Sequence, residues 1–194
     1  MPMNKAAVLM IIDMQQGMSW PQAGERNNPN AEQEIAELIA HWRANHAPIV
    51  HVRHISTEPE SLFWPDQDGV LFQDAFQPLE DEKVVEKSVP DAFIYSDLEK
   101  WLRKLNAQAL VVVGVSTNNS VESTVRSAGN LGFTTYVVGS ACFAFNKEDF
   151  FGQSRSADDV HAMSLANLHG EYATVITQDD AFALLPKGHT SLRD

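Results

Sequence analysis

Residues 109–133 read ALVVVGVSTNNSVESTVRSAGNLGF, and this stretch decides the fold class. Its first part, Ala109 to Val115, is a continuous apolar run, which is typical of a strand buried on both faces of a parallel sheet. We interpret Asn118 to Leu131 as a helix that Gly132 is well placed to end. A strand that leads through a short polar turn into a helix is the building unit of α/β proteins.

Apolar runs and amphipathic stretches alternate along the rest of the chain as well. The other predicted strands are Ala6–Ile12, Ile49–Val52, Lys83–Glu86, Phe133–Val138 and Tyr172–Thr177. The other predicted helices are Asn30–His46, Asp97–Leu105 and Ala157–Leu168. We therefore predict a single α/β domain over residues 1–194, with a loose C-terminal tail from about Lys187. The expected architecture is a Rossmann-like parallel sheet of about six strands, flanked by helices in three layers, α/β/α.

The segment Ser56 to Glu82 breaks this alternation. It carries several prolines with large aromatic residues between them: Pro59, Phe63, Trp64, Pro65, Phe72, Phe76 and Pro78. Long loops of this kind are uncommon in compact domains and often cover a functional site. We interpret the segment as a loop that covers a site.

Charge and cysteine content narrow the classes of partner. The chain has 26 acidic and 14 basic residues and a net charge of −12, which disfavours nucleic acid and anionic membranes as partners. The expected partners are therefore a small-molecule substrate or another protein subunit. No stretch approaches the roughly 20 apolar residues of a membrane span. The single cysteine, Cys142, cannot form an internal disulfide, which suits a cytoplasmic protein.

Polar residues follow four of the predicted strands at the point where each strand ends. They are Asp13, His54, Lys87 and the segment Ser116 to Ser120. In open α/β sheets, ligands bind outside the carboxyl ends of the strands. We expect these residues to converge in one cleft.

The segments around these residues resemble the signature segments of the isochorismatase-like hydrolases, also called the cysteine hydrolase family. They are LMIID, ending at Asp13; VVEKSVPDAF, containing Lys87; and VVVGVSTNNSVESTVRSAGNLGF. SACFAF and SADDVHAMSLANLHGEYATV are similar too, so the resemblance covers roughly Ala6 to Thr177. The family includes nicotinamidases, carbamoyl-sarcosine-type amidohydrolases and isochorismatases.

The resemblance implies a catalytic set with one substitution. In the family, an aspartate and a lysine assist a cysteine in a Thr-Asn-x-Cys-Val motif at a helix start. Here that motif reads Thr117-Asn118-Asn119-Ser120-Val121, so Ser120 stands at the cysteine position. The resemblance also implies a cis peptide between Val115 and Ser116, and a homo-oligomer, either a dimer or a tetramer.

A nucleophile at a helix N-terminus lies beside free backbone N–H groups, which can hold an oxyanion. Ser116, Thr117 and Asn119 are the candidates for that role. Asp13 would take the proton of the nucleophile, with Lys87 as its electrostatic partner. A serine hydroxyl is far less acidic than a thiol, and a carboxylate paired with lysine is a weaker base. Ser120 is thus a weakened nucleophile, a natural variant with different chemistry, or an engineered Cys→Ser change.

Further residues are candidates for the pocket walls. We assign substrate contacts to His54, Phe63, Trp64 and Phe93. Cys142 is the only thiol; we place it after a strand and interpret it as structural, since free cysteine is usually buried.

The histidines do not form a metal-binding pattern. His51 and His54 are three apart on a strand and therefore point to opposite faces, which disfavours a shared metal. The nicotinamidase metal site uses an aspartate and two histidines in a loop, and no such pattern occurs here. We expect neither a metal nor a cofactor, and we interpret His161 as a structural residue of its helix.

Three functions compete. The leading one is hydrolysis of a C–N bond in a small amide, imide or carbamoyl compound through a covalent acyl-enzyme. The second is an isochorismatase-type hydrolysis of a vinyl ether, in which Asp13 handles a proton without any nucleophile. The third is a catalytically silent binding member of the fold.

Overall fold

The computed structural model describes residues 7–185. Within that range the strands are β1 (Ala7–Ile12), β2 (Ile49–His54), β3 (Lys83–Lys87), β4 (Ala109–Val115), β5 (Thr134–Phe143), β6 (Lys147–Glu148), β7 (Ser154–Arg155) and β8 (Thr174–Ile176). Six of them form one sheet in the order β3-β2-β1-β4-β5-β8, and all neighbours are parallel. The remaining two, β6 and β7, form a separate antiparallel hairpin. The predicted parallel sheet of about six strands is confirmed.

Helices cover both faces of the sheet. They are α1 (Ala31–Ala44), α2 (Leu98–Lys104), α3 (Glu122–Asn130), α4 (Ala157–Leu168) and α5 (Gln178–Ala183). Buried residues of α1 and α5 pack on one face, and those of α2, α3 and α4 pack on the other. The architecture is therefore the expected three-layer α/β/α arrangement.

The central strand β1 shows why its sequence is apolar without a break. Val8 and Met10 point into the core on the α2–α3 side, whereas Leu9 and Ile11 point into the core under α1. Since successive residues of a strand face opposite sides, both sets must be apolar in a sheet covered on both faces. Trp42 of α1 also reaches this strand, and its indole N–H donates to the Ala7 carbonyl at 2.9 Å.

The structure differs from the sequence-based expectation in its last third. Strand β5 continues to Phe143, five residues beyond the predicted end at Val138, because its pairing with β4 resumes after an irregularity. Cys142 therefore lies inside β5 and does not follow a strand. Strand β8 begins only at Thr174, because the N–H groups of Tyr172 and Ala173 still donate to the Leu168 carbonyl at the end of α4.

Two elements were not predicted at all, the β6–β7 hairpin and helix α5. Both are short, which leaves little periodicity to detect. The predicted loose tail from Lys187 lies outside the described residues. Across residues 7–185, no helix combines the length and the apolar character needed to cross a membrane.

Candidate active site

The first component of the site is Asp13, directly after β1. Its backbone has a φ of +53°, a left-handed conformation that aspartate tolerates better than most residues. The N–H of Asp13 donates to the Val52 carbonyl at 2.9 Å, which fixes the residue against the end of β2. The carboxylate is 1% exposed, and its Oδ1 has no hydrogen-bond partner among the described residues. One oxygen of a buried carboxylate is thus free to accept.

The second component is Lys87, the last residue of β3. Its ammonium nitrogen lies 2.8 Å from Asp13 Oδ2, 3.2 Å from Ser120 Oγ and 3.3 Å from His54 Nδ1. An ammonium group has three N–H donors, so each of these contacts can take one. Burial, together with the nearby lysine, lowers the pKa of His54, which leaves its ring neutral and able to accept. The predicted convergence of Asp13, His54, Lys87 and Ser120 is therefore present.

The third component is the turn that carries Ser120. Strand β4 ends in a cis peptide between Val115 and Ser116, as the resemblance implied, and a π-helical turn follows over Thr117–Val121 before α3 begins. Gly114 has a φ of +120°, and a Cβ there would lie 2.1 Å from the Ile12 carbonyl oxygen. Only glycine therefore allows β4 to approach β1 this closely, next to the residue that precedes Asp13.

Backbone N–H groups of this turn differ in what they can bind. The N–H of Asn119 donates to the Ser116 carbonyl at 3.0 Å, and that of Val121 donates to the same oxygen at 3.2 Å. Asn119 is therefore not a free oxyanion donor, contrary to the expectation from sequence. Within the described part of the chain, the N–H groups of Ser116, Thr117 and Ser120 have no hydrogen-bond partner outside the turn. An oxyanion hole here would draw on these groups.

Helix α4 supports the turn from outside, a feature that the sequence did not reveal. His161 Nδ1 lies 2.8 Å from Thr117 Oγ1, and the Ser164 hydroxyl donates to the Thr117 carbonyl at 2.9 Å. Ser164 Oγ also lies 2.6 Å from a carboxylate oxygen of Glu122, the first residue of α3. His161 thus contacts the turn that carries Ser120, a partner outside its own helix.

Gln15 is another residue that sequence reasoning missed. It is fully buried, and its side-chain amide bonds to both backbone groups of His54, accepting from the N–H at 2.8 Å and donating to the carbonyl at 2.9 Å. Its amide nitrogen also lies 2.9 Å from the Val70 carbonyl. Gln15 thereby connects the loop after β1 to the end of β2 and to the long loop over residues 56–82. A single glutamine in a loop gives no periodic or spacing signal that would have identified it.

Comparison with known proteins identifies the family. The isochorismatase domain model matches residues 7–180 of this chain. The chain belongs to the isochorismatase family. The uncharacterized isochorismatase family protein YrdC of Bacillus subtilis is 34% identical over 187 residues, covering 96% of this chain and 100% of that protein. A proposed hydrolase of the isochorismatase family from Chromobacterium violaceum is 48% identical, and its crystal structure gives a TM-score of 0.90 over 94% of this chain and 95% of the other.

The name of a third relative of this chain states an activity. Nicotinamidase 3 of Arabidopsis thaliana is 26% identical over 191 residues, covering 92% of this chain and 88% of that protein. The fold and the family together are those of hydrolases.

In this isochorismatase-family chain the long loop brings aromatic side chains to the site, as its composition predicted. The Phe63 ring lies 5.8 Å from the His54 ring, and Trp64 lines a cavity of about 550 Å³ beside Lys87. Phe93 does not belong to this group, because it stacks on Phe133 next to the start of β5, with 6.2 Å between ring centroids. The expected substrate contact of Phe93 is thus not supported by its position.

Asp13, Lys87 and Ser120 are each at most 5% exposed, and none of the three lines the cavity of about 840 Å³ between the β6–β7 hairpin and α4. Of the three, Lys87 lines the 550 Å³ cavity, which therefore reaches the site from the side of β3.

Two other candidate groups lie apart from the site. Burial raises the pKa of the Cys142 thiol to about 12, so this cysteine is an inert core residue, as expected. His51 is fully buried and its Nε2 lies 2.8 Å from a Glu82 carboxylate oxygen, whereas His54 contacts Lys87. Over residues 7–185, no group of three or more His, Cys, Asp or Glu side chains is arranged to hold a metal ion.

Proposed function

We propose that this protein hydrolyses a C–N bond of a small amide, imide or carbamoyl compound through a covalent acyl-enzyme on Ser120. The observation that carries the proposal is the position of Lys87 Nζ, within hydrogen-bond distance of both Asp13 Oδ2 and Ser120 Oγ. The family relation to hydrolases, one of them named a nicotinamidase, supports it. We place the reaction in the cytoplasm, because its reducing conditions suit a chain with one cysteine.

We infer that Asp13 accepts the proton of Ser120, because its Oδ1 has no hydrogen-bond partner among the described residues. As Ser120 Oγ forms its bond to the substrate carbonyl carbon, the hydroxyl proton passes to Asp13, and Lys87 stays protonated beside both oxygens. The N–H groups of Thr117 and Ser120 hold the oxyanion. The C–N bond then breaks, and the leaving nitrogen takes the proton from Asp13. Water finally hydrolyses the ester on Ser120.

The runner-up function is hydrolysis of a vinyl ether with Asp13 as the proton-transferring group and no nucleophile. The free Oδ1 of Asp13 favours it, because this buried oxygen is available to a substrate proton. Ser120→Ala separates the two functions. It abolishes turnover in the acyl-enzyme mechanism and leaves it intact in the other, whereas Asp13→Asn abolishes both.

The decisive experiment compares the chain that carries Ser120 with its Ser120→Cys variant on a panel of small amides and imides, following turnover and intact protein mass. A gain of several orders of magnitude, or an acyl adduct on the Cys variant, supports a cysteine-hydrolase site that carries serine. Cys142→Ala in the same background must keep the adduct, since the buried thiol is not its site. Ligand binding without turnover or adduct in every variant would instead indicate a silent binding protein.

A further inference from the structure

The imidazole of His54 contacts Lys87, but the mechanism described above gives it no role. Its Nδ1 lies 3.3 Å from the ammonium nitrogen of Lys87. An ammonium group carries only donors, so Nδ1 must accept this hydrogen bond. A neutral imidazole has one accepting and one donating nitrogen, and the proton of His54 therefore lies on Nε2. The contact with Lys87 thus fixes the tautomer of the ring.

Two observations indicate that the His54 ring stays neutral. Burial is the largest cause that lowers the pKa of His54 and the charge of Lys87 is the next, whereas Asp13 opposes the shift. Protonation would also place a second N–H donor, on Nδ1, against the Lys87 ammonium. A doubly protonated ring is therefore disfavoured near neutral pH, and the Nε2–H group of His54 acts as a neutral donor.

The Nε2–H group is free to bind a ligand. Nε2 has no hydrogen-bond partner among residues 7–185, and His54 is only half-buried. Gln15 bonds to both backbone groups of His54, and the Phe63 ring lies 5.8 Å from the imidazole. A donor that is held in place in this way loses little entropy when a ligand binds. His54 and Ser120 also contact the same ammonium nitrogen, so the donor lies beside the proposed nucleophile.

The 550 Å³ cavity beside Lys87 offers no unpaired charge among its described lining residues. Two of these residues are charged, Glu86 and Lys87. Glu86 pairs with Arg53, and Lys87 pairs with Asp13. A charged ligand would find no partner here, and burial of an unpaired charge is costly. The ligand atom that accepts from Nε2–H should therefore be neutral, as a carbonyl oxygen is.

We propose that His54 donates through Nε2–H to a second carbonyl oxygen of the substrate, so that the site prefers imides and acylureas to simple amides. This inference rests on the proposed hydrolysis of a C–N bond. In such compounds the leaving nitrogen carries the second carbonyl, which shares the electron pair that the breaking C–N bond leaves on nitrogen. The hydrogen bond from His54 therefore strengthens as the bond breaks. The leaving nitrogen takes its proton from Asp13, and His54 keeps its own.

Binding to the full chain with Ser120→Ala tests this preference without turnover. Isothermal titration calorimetry compares succinimide with pyrrolidinone, and glutarimide with piperidinone, because each lactam differs from its imide by one carbonyl. We expect each imide to bind about tenfold more tightly than its lactam, the effect of one hydrogen bond.

Variants of His54 in the same Ser120→Ala background assign the preference to Nε2–H. His54→Leu should abolish the difference between imide and lactam. His54→Gln should retain most of it, because the glutamine amide can place an N–H near the position of Nε2. His51→Gln is the matched control on the same strand, since the His51 ring contacts Glu82. It should leave the preference unchanged, and circular dichroism must show that all variants are folded.

Nitrogen NMR of the imidazoles in the full chain with Ser120 measures the tautomer separately. At about pH 8, above the ordinary pKa of histidine, His54 should carry its proton on Nε2 alone, and His54→Gln identifies its signals by their loss. A proton on Nδ1 would overturn the proposal. Imides that bind no better than their lactams, or a preference that survives in His54→Leu, would overturn it as well. If imides bind preferentially but neither the Ser120 chain nor Ser120→Cys hydrolyses them, the hydrolase function fails and recognition by His54 stands.

Discussion

The ammonium nitrogen of Lys87 lies 2.8 Å from Asp13 Oδ2, and both side chains are almost fully buried. The pair joins the ends of β3 and β1, which are not neighbours in the sheet, across the end of β2. Two opposite charges out of water depend on one another, because each would be costly alone. Removal of either partner alone should therefore destabilise the fold.

Replacing Lys87 by methionine should destabilise the protein by about 3–5 kcal/mol, since it leaves the Asp13 charge buried without its partner. The D13N/K87M double variant should lose less than the sum of the two single variants. Urea unfolding at pH 7 measures both. Lys83→Met is the control, because the Lys83–Asp97 ion pair is exposed and should contribute only about 0–1 kcal/mol. If Lys87→Met and Lys83→Met lowered the free energy of unfolding equally, Lys87 and Asp13 would not be coupled as proposed.

The sequence predicted this site better than it predicted its surroundings. Asp13 and Ser120 come after the buried strands β1 and β4, Lys87 ends the edge strand β3, and in a parallel sheet the carboxyl ends of the strands share one edge. Their convergence was thus a consequence of topology. Even so, the position of Lys87 between the other two could not be foreseen, since it depends on how the side chains pack and not on strand order.

The contacts that support the site were beyond sequence reasoning for a different reason. Gln15 bonds to His54 across 39 residues, and His161 meets Thr117 across 44. Such polar contacts have no period along the chain, so nothing marks them before the fold is known. Phe93 is the opposite case. We assigned Phe93 to the pocket wall as an aromatic residue, but its ring stacks on Phe133.

Trp64 should control substrate affinity if the 550 Å³ cavity admits the substrate. Trp64→Ala removes apolar wall area, and we expect the KM of the active form to rise about tenfold with little change in kcat. Steady-state kinetics on the best substrate of the panel measures it. Phe93→Ala should lower the melting temperature and leave KM unchanged, since Phe93 packs on Phe133. If Phe93→Ala raised KM and Trp64→Ala did not, the assignment of Trp64 to the substrate pocket would be wrong.

Stability should fall in acid because of a second buried cluster, formed by Arg43, His51 and Glu82. Burial opposes ionisation of Glu82, but hydrogen bonds from Arg43, the Leu79 N–H and His51 prevail and lower its pKa to about 2. Because the pKa of Glu82 is lower in the folded chain than in the unfolded chain, ionised Glu82 stabilises the fold fully above about pH 4.5. This contribution is lost as the pH falls toward 2.

Burial lowers the pKa of His51, so protonation of the unfolded chain below about pH 6.5 weakens the fold in the same direction. Unfolding free energies should therefore decrease steadily from pH 7 to pH 3. Glu82→Gln should cost roughly 1–3 kcal/mol at pH 7 and flatten the acid limb of the profile. The exposed Glu86→Gln, whose carboxylate pairs with Arg53 at the surface, should leave the profile unchanged. A profile that Glu82→Gln does not alter would show that other groups control acid stability.

The contact between Thr117 and His161 should matter for catalysis through position alone. Burial lowers the pKa of His161, so a neutral ring faces the Thr117 hydroxyl at 2.8 Å. Thr117→Val keeps the shape but leaves a buried ring nitrogen unpaired, at a cost of about 1–3 kcal/mol in unfolding free energy. Because Ser120 lies in the same turn, a small displacement should reduce kcat by tenfold or more and affect KM much less.

The matched control for this prediction is Thr135→Val. Thr135 is 4% exposed and its hydroxyl donates to the Phe133 carbonyl at 3.0 Å, at the opposite end of the sheet from Ser120. The Thr135→Val variant should have a lower free energy of unfolding but an unchanged kcat. If both threonine variants lose stability and neither loses kcat, helix α4 supports only the fold, and the orientation of Ser120 must come from Lys87 and the backbone of the turn.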